Sequence, residues 1–344
     1  MTDSRRDDPR LALLRHWLED GLGWRDTSLA PASADASFRR YFRVTRPQGT
    51  CIAMDAPPDK ENVEPYLAVA GMLADIGVNA PRVLGRNAGD GFLLLTDLGS
   101  VTYLTELADR GRAGALYADA IAALVRIEAR GAGHATRLPP YDEKLLRFEM
   151  SLFTDWLVGR HLGLVLHQDD TRGLAAAFDL LVANALAQPR VFVHRDYHSR
   201  NLMVCAEENP GILDFQDAVH GPLTYDLVSL LRDCYIDWPQ ERVVEWALEF
   251  RRRAAAVGLD VGADERQFLR WFDLMGVQRH LKASGIFARL WHRDGKPGYL
   301  AEVPRTLGYV EQACARHADL AALGALVRDR VLPAMQASLV ARSA

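Results

Sequence analysis

This sequence has no cysteines spaced for metal or redox work. Cys51, Cys205, Cys234 and Cys314 are scattered, and none forms a C-x-x-C pair. That argues against a zinc knuckle or reactive dithiol and for reduced core thiols in a reducing cytoplasm. No apolar run approaches the length that crosses a bilayer. The charged stretch Met1–Arg10 is not followed by the apolar core of a secretory signal. A basic excess is missing too. The 41 Lys and Arg stand against 45 Asp and Glu, a formal charge of −4, which disfavours a protein built to neutralise long nucleic acid. Internal repeats, low-complexity tracts and long linkers are also absent. What is there is 344 residues, 49% hydrophobic and 25% charged. This is the balance of a soluble globular protein, long for one core and short for three. Two lobes are expected, in a cytoplasmic monomer with a small-molecule partner and neither nucleic acid nor membrane.

The texture changes near residue 100. Leu11, Leu14, Trp17 and Leu18 have helical spacing. Phe38–Val44, Cys51–Asp55 and Phe92–Thr96 read as strands, with a helix over Asn62–Ile76 and a turn at Gly89-Asp90-Gly91. Residues 1–98 therefore predict a small α+β lobe with an antiparallel sheet. Residues 99–344 predict a mainly helical lobe, with helices over Ala115–Arg130, Asp142–Leu162, Gly173–Ala187, Pro222–Cys234 and Gln240–Val257. Asp264–Leu290 and Thr306–Ala341 are helix-rich as well. Val191–Val193, Leu202–Cys205 and Gly211–Phe215 are short β-prone runs set into it.

The chemistry clusters around those runs. His194-Arg195-Asp196-Tyr197-His198-Ser199-Arg200-Asn201 precedes one, and Ile212-Leu213-Asp214-Phe215 ends another. Asp196 and Asn201 are five apart, and Asp214 follows thirteen later. Phosphoryl transfer from Mg-ATP needs such a kit. One carboxylate orients the attacking hydroxyl and takes its proton. A carboxylate and an amide oxygen hold Mg²⁺, which prefers a few hard oxygen ligands. Aspartate and asparagine also favour turns, so a loop-forming role is the plainer alternative for each.

On these residues the sequence resembles the protein-kinase-like superfamily, whose signature is H-R-D-x-x-x-x-N followed by a metal-binding Asp-Phe. His198, the run Ile212–Asp217 and Gly221–Leu227 narrow the resemblance to the aminoglycoside phosphotransferase branch. Ser37–Arg43, Met54–Pro58, Leu213–Val219, Tyr225–Pro239 and Gln278–Leu290 are similar to bacterial cell-wall amino-sugar anomeric kinases. The resemblance spans nearly the whole chain. It implies a bilobal kinase-like α+β fold, ATP and Mg²⁺ as cofactors, and phosphorylation of N-acetylmuramate and N-acetylglucosamine on the anomeric hydroxyl for peptidoglycan recycling. Residue by residue, it implies Asp196 as the catalytic carboxylate and His198 where many kinases keep a phosphate-facing lysine. It makes Asn201 and Asp214 the metal ligands, and Thr96, Asp97 and Leu98 the adenine-reading hinge. Ser37 falls on the phosphate loop. His194 and Asp226 support the catalytic loop.

The pattern departs from the family at the phosphates. Met54 sits about where a strand lysine should grip them, and Lys60 is the sole lysine before Lys144. The loop Ala32–Ser37 lacks glycine, though its small residues still admit a close ligand. Strand alternation puts Arg39, Tyr41 and Arg43 on one face and Arg40 on the other; Arg43 is the expected stand-in. A solvated strand face is the plainer alternative. For the acceptor, Arg279, His280 and Lys282 form a basic cluster on a helix, with Arg232 and Glu149 as further candidates. Trp156 is read as core. A lactyl carboxylate on the sugar would want such cations. The antibiotic kinases of the same fold are the runner-up, although polycationic drugs fit an acidic pocket better. A metal hydrolase built on His194, Asp196, His198 and Asp214, and a non-catalytic nucleotide-binding scaffold, stand further off.

Overall fold

A computed structural model describes residues 8–34 and 38–343. Ser37 therefore lies outside the described residues. In chain order the elements are α1 (Pro9–His16), β1 (Ser28–Ala34), β2 (Arg40–Arg46), β3 (Gly49–Asp55), α2 (Glu64–Ile76), β4 (Val83–Asn87), β5 (Phe92–Thr96) and α3 (Tyr103–Glu106). Then come α4 (Ala113–Arg130), α5 (Ala132–Ala135), α6 (Glu143–Leu152), α7 (Gln168–Leu186), β6 (Arg190–Val193), β7 (Leu202–Met203), β8 (Gly211–Ile212) and β9 (Val219–Pro222). The rest is helical: α8 (Tyr225–Leu231), α9 (Gln240–Ala256), α10 (Glu265–Asp294), α11 (Val303–Arg316), α12 (Ala321–Leu326) and α13 (Leu332–Ser343). The chain divides into two compact units. One joins Met1–Glu106 to Asn201–Asp217; the other joins Leu107–Arg200 to Ala218–Ala344.

The first unit is built on an antiparallel sheet of order β1-β2-β3-β5-β4. Alternation along β2 and β3 sends Phe42, Val44, Cys51 and Ala53 to one face, where they pack with Phe92, Leu94 and the helix residues Leu14 and Leu18. Asp55 is fully buried at the end of β3 and accepts hydrogen bonds from both Arg10 and Arg40, which ties α1 to the sheet. Gly91 closes the expected turn with φ +73°; a Cβ there would lie 1.9 Å from the Ala56 carbonyl oxygen, so only glycine fits. The ribbon β7–β8 joins this unit through Ile212 N–H to the Asn79 carbonyl (2.7 Å) and Val204 N–H to the Val101 carbonyl (2.8 Å). Strand β1 escapes sequence reading because Ser-Leu-Ala-Pro-Ala-Ser-Ala carries proline and small residues in place of β-branched ones.

The second unit is helical around α10, which is 30 residues long and buried over most of its length. The helix expected over Asp142–Leu162 is α6 followed by a π-helical stretch, Phe153–His161. Gly285 of α10 sits at that junction: its Cβ would lie 2.2 Å from the Leu152 carbonyl carbon and 2.5 Å from the Phe153 nitrogen. The helix expected from Pro222 starts at Tyr225 instead, because Val219–Pro222 pairs with β6 as β9.

Candidate active site

In the second unit the loop after β6 carries the His-Arg-Asp run, and four anchors hold it. Asp226, at the start of α8, accepts the backbone N–H groups of His194 (2.5 Å) and Arg195 (2.9 Å). Asp233, fully buried, accepts the Ser199 N–H (2.9 Å) and hydroxyl (2.5 Å) through one oxygen and the Tyr235 N–H (2.9 Å) through the other. The Tyr197 hydroxyl donates to the Ala120 carbonyl at 2.8 Å. The Asp196 N–H donates to His194 Nδ1 at 3.2 Å, which fixes the imidazole proton on Nε2 when His194 is neutral. Arg195 has φ +79°, a left-handed conformation that costs a residue with a Cβ and that clusters at functional sites. The amides of Arg195 and of His194 before it both bond to Asp226.

The electrostatics around Asp196 are cationic. Burial alone would raise its carboxyl, but Lys282, with Arg195 and Arg279, outweighs it and holds the group below the usual carboxylate range. Asp196 is thus ionised at neutral pH, fit to accept a hydrogen bond from a hydroxyl and to take its proton as that oxygen is consumed. Burial pushes His198 the other way, toward the neutral imidazole, against the pull of Asp233 and Asp196. Its Nδ1 is buried with no hydrogen-bond partner, and its ring meets Tyr235 edge-on at 5.5 Å between centroids.

Behind Asp196 lies a buried network centred on Glu149. The Glu149 carboxylate accepts from Arg195, from Lys282 at 2.9 Å, from the Tyr141 hydroxyl, and from Gln278 at 3.2 Å. Burial would raise this carboxyl, yet Lys282 and Arg195 hold it below its ordinary value. Lys282 also donates to the Tyr225 hydroxyl at 2.9 Å. Arg279 differs. It is 6% exposed and makes no ion pair among the described residues; its Nη1 reaches only Cys234 Sγ at 3.8 Å, and its Nε is buried without a partner. The other two acceptor candidates face elsewhere. Arg232 is locked in a buried pair with Asp273 (2.6 Å), and His280 Nε2 bonds the Arg232 carbonyl at 2.8 Å while its ring stacks on Tyr309. The helix explains the split: residues three apart share a face, while the next one is rotated away.

The first unit holds the other half of the motif. Asn201 Nδ2 lies 3.4 Å from Asp214 Oδ2, and the Leu213 N–H donates to the Asn201 carbonyl at 2.9 Å. Asp214 has φ +61°, the second strained position on the motif, and Gln216 donates to its Oδ1 at 2.8 Å. The side-chain amide of Asn201 and the carboxylate of Asp214 are thus neighbours, and an amide oxygen and a carboxylate are the hard donor types that Mg²⁺ takes. Thr96 ends β5, its hydroxyl accepting the Arg82 N–H at 2.9 Å. The Leu98 carbonyl accepts a weak bond from Cys205 Sγ at 3.6 Å. Arg43, expected at the phosphates, is engaged by Asp97: Nε to Oδ2 at 2.7 Å, Nη2 to Oδ1 at 3.0 Å, and Nη2 again to the Gly99 carbonyl at 2.7 Å. Burial would raise Asp97, but Arg43 holds it below the usual range. Arg39, not Arg43, lies beside Asp214, at 3.9 Å.

Two residues escaped sequence reading. Asp233 was legible only as a neighbour of Arg232, seven residues after Asp226. Arg39 was legible as a face-mate of Arg43 and no more.

The architecture is that of kinase-like phosphotransferases. A crystal structure of the aminoglycoside phosphotransferase APH(2'')-Ib, ADP-bound, superposes with a TM-score of 0.58 at 13% identity, covering 87% of this chain and 97% of that one. The chain belongs to the phosphotransferase enzyme family (APH), whose profile matches residues 28–272. It is 47% identical over 334 residues to the N-acetylmuramate/N-acetylglucosamine kinase of Pseudomonas aeruginosa, covering 93% of this chain and 97% of that one. The Neisseria meningitidis kinase of the same name is 45% identical over 322 residues, 92% and 95% of the two chains. Among the described residues, no helix is long and apolar enough to cross a membrane.

Proposed function

We propose that this protein transfers the γ-phosphoryl group of ATP to the anomeric hydroxyl of N-acetylmuramate and N-acetylglucosamine, giving the α-1-phosphates that feed peptidoglycan recycling. The observation that carries the substrate is the 47% identity over nearly the whole length of a kinase of that name. In this reading Asp196 orients the sugar hydroxyl and accepts its proton, and neutral His198 lines the same loop. Asn201 and Asp214 hold Mg²⁺, which when bound neutralises charge developing on the phosphates. The backbone of Thr96–Leu98 reads adenine. Residues 1–98 form the nucleotide-binding lobe and 99–344 the catalytic and acceptor-binding lobe, in a cytoplasmic monomer.

The acceptor side is supported by an uncommitted cation. Lys282 is neutralised by Glu149, whereas Arg279 is buried without an ion-pair partner. Burial opposes the Arg279 charge, and Cys234, Tyr225, Asp196 and Asp233 offset it only from a distance; a lactyl carboxylate would supply the direct ion pair that Arg279 does not make here. This sets N-acetylmuramate apart from a polycationic drug, which Arg279 would repel. A ³¹P spectrum after incubation with ATP, Mg²⁺ and a panel of amino sugars tests the proposal. The expected product signal couples to H1. A product formed only from kanamycin-like acceptors would overturn it.

A further inference from the structure

Arg200 stands at the end of the catalytic loop, just before the candidate metal ligand Asn201, and its residue is exposed. We infer that Arg200, presented by Tyr235 and Tyr299, is a specificity-determining residue that binds the carboxylate of an anionic acceptor sugar, as the outer partner of Arg279. This inference rests on the amino-sugar kinase reading above and adds a residue to its acceptor site.

Rings place the guanidinium. Its central carbon lies 3.8 Å from the Tyr235 ring centroid and 5.6 Å from that of Tyr299. Both tyrosines are themselves held. The Tyr235 N–H donates to Asp233 at 2.9 Å, and the Tyr235 ring meets His198 edge-on. Tyr299 stacks on the buried Phe287 ring, with centroids 5.7 Å apart and planes at 18°. An arginine that meets a ring through its face keeps its N–H donors, which lie in the guanidinium plane, for an anion. Among the described residues no hydrogen bond or ion pair takes them. A side chain restrained in advance also loses less freedom when a ligand arrives.

His198 connects this arginine with Arg279. Burial does most to hold the His198 imidazole neutral, and Arg279 and Arg200 both add to it. The carboxylates around the loop have other work. Asp233 takes Ser199 and the Tyr235 N–H, and Asp196 is the acceptor of the sugar hydroxyl proton. Neither Arg200 nor Arg279 closes an ion pair among the described residues. An acceptor that brings its own carboxylate completes the set, because its two oxygens have lone pairs enough for both guanidinium groups. N-acetylmuramate carries such a carboxylate and N-acetylglucosamine does not. The settings of the two arginines divide the task. Arg279 is 6% exposed, whereas Arg200 lies at the surface, where a cation also steers an anion toward the site.

The test is steady-state kinetics on N-acetylmuramate, its methyl ester and N-acetylglucosamine, at low and at high salt. Arg200→Ala is expected to raise KM for N-acetylmuramate about three- to tenfold, less than the loss in Arg279→Ala because an exposed pair is partly screened. The KM values of the ester and of N-acetylglucosamine should move much less. Preference of the wild-type enzyme for the acid over the ester should weaken as salt rises, and that dependence should flatten in Arg200→Ala; a packing role would not move it. Arg200→Lys keeps the charge without the fork and should recover part of the loss. Tyr299→Leu should reproduce part of the loss on its own and add nothing in the Arg200→Ala background, since a positioning residue acts only through its partner. Equal losses on all three acceptors, or an unchanged KM for N-acetylmuramate, would overturn the inference. So would a raised KM for ATP alone, which would assign Arg200 to the nucleotide phosphates. If Arg200→Ala does not fold, Arg200→Gln carries the same comparison. A wild-type enzyme that phosphorylates neither sugar would instead sink the amino-sugar kinase reading itself.

Discussion

Lys282 Nζ lies 2.9 Å from Glu149 Oε1, so one of the two cations on the Asp196-facing side of α10 is already neutralised. Arg279, three residues earlier on the same face, has no ion pair among the described residues. The two should therefore fail differently when removed. Arg279→Ala is expected to lower kcat/KM for N-acetylmuramate by about ten- to a hundred-fold, and to affect N-acetylglucosamine, which lacks the lactyl carboxylate, much less. Lys282→Ala strips a partner from buried Glu149 and should hurt both sugars alike, with a lower Tm. Steady-state kinetics on the two sugars decide this. Equal losses in Arg279→Ala would return that residue to the scaffold.

Asp196→Asn should abolish turnover and leave Mg-ATP binding nearly intact, because a proton acceptor contributes to the transition state more than to the bound ground state. Asp214→Ala should do the reverse and weaken Mg-nucleotide binding itself. Calorimetry beside single-turnover rates separates the two. Unchanged turnover in Asp196→Asn would remove that residue from the chemistry.

The loop motif was legible because phosphoryl transfer needs fixed residue types at fixed chain spacing, and Asp196, Asn201 and Asp214 meet that need locally. That Asp97 engages Arg43 while Arg39 lies beside Asp214 was not legible. Alternation puts both on one face, but Arg43 faces Ile52 and Ile52 faces Leu95. That register brings Asp97, two residues past Leu95, to the guanidinium. Likewise, helical spacing separates Arg279 and Lys282 from His280, but nothing local shows that a glutamate 133 residues before Lys282 neutralises it. Strand β1 was hidden for another reason: Pro31 and its small neighbours lack the bulk that marks a strand. Long-range pairing, not propensity, makes it one.

His280 gives a pH test of its structural role. Burial pushes its pKa down to about 3, from an ordinary value near 6.5, and Arg279 adds to the push. Between those two pH values the unfolded chain binds a proton that the folded chain refuses. Stability is therefore full above about pH 6.5 and falls as pH drops toward 3, by at most about 1.4 kcal/mol per pH unit from this one group. In His280→Gln, Tm measured across that window should fall less steeply than in wild type, with KM for either sugar hardly moved. A large rise in sugar KM would put His280 in the acceptor site after all.

Asp233 should prove to be a positioning residue for the catalytic loop. Its buried carboxylate takes the Ser199 N–H and hydroxyl on one oxygen and the Tyr235 N–H on the other. Ser199 follows His198 and stands three residues after Asp196. Asp233→Ala leaves two buried donors of Ser199 and the part-buried Tyr235 N–H without their acceptor, each buried one worth about 1–3 kcal/mol unless water replaces it. The damage should be local, because Asp226 still holds the His194 and Arg195 amides at the other end of the loop. The expected result is a kcat loss of about tenfold or more, since small misplacements of a reacting group are expensive. ADP affinity should stay close to wild type. Asp233→Asn keeps one carbonyl acceptor in the same shape and should recover part of kcat, which a purely global destabilisation would not produce at temperatures well below Tm. If kcat were unchanged while Tm fell, Asp233 would be an ordinary buried anchor, and the geometry of Asp196 would be set by Asp226 and the Tyr197 hydroxyl alone.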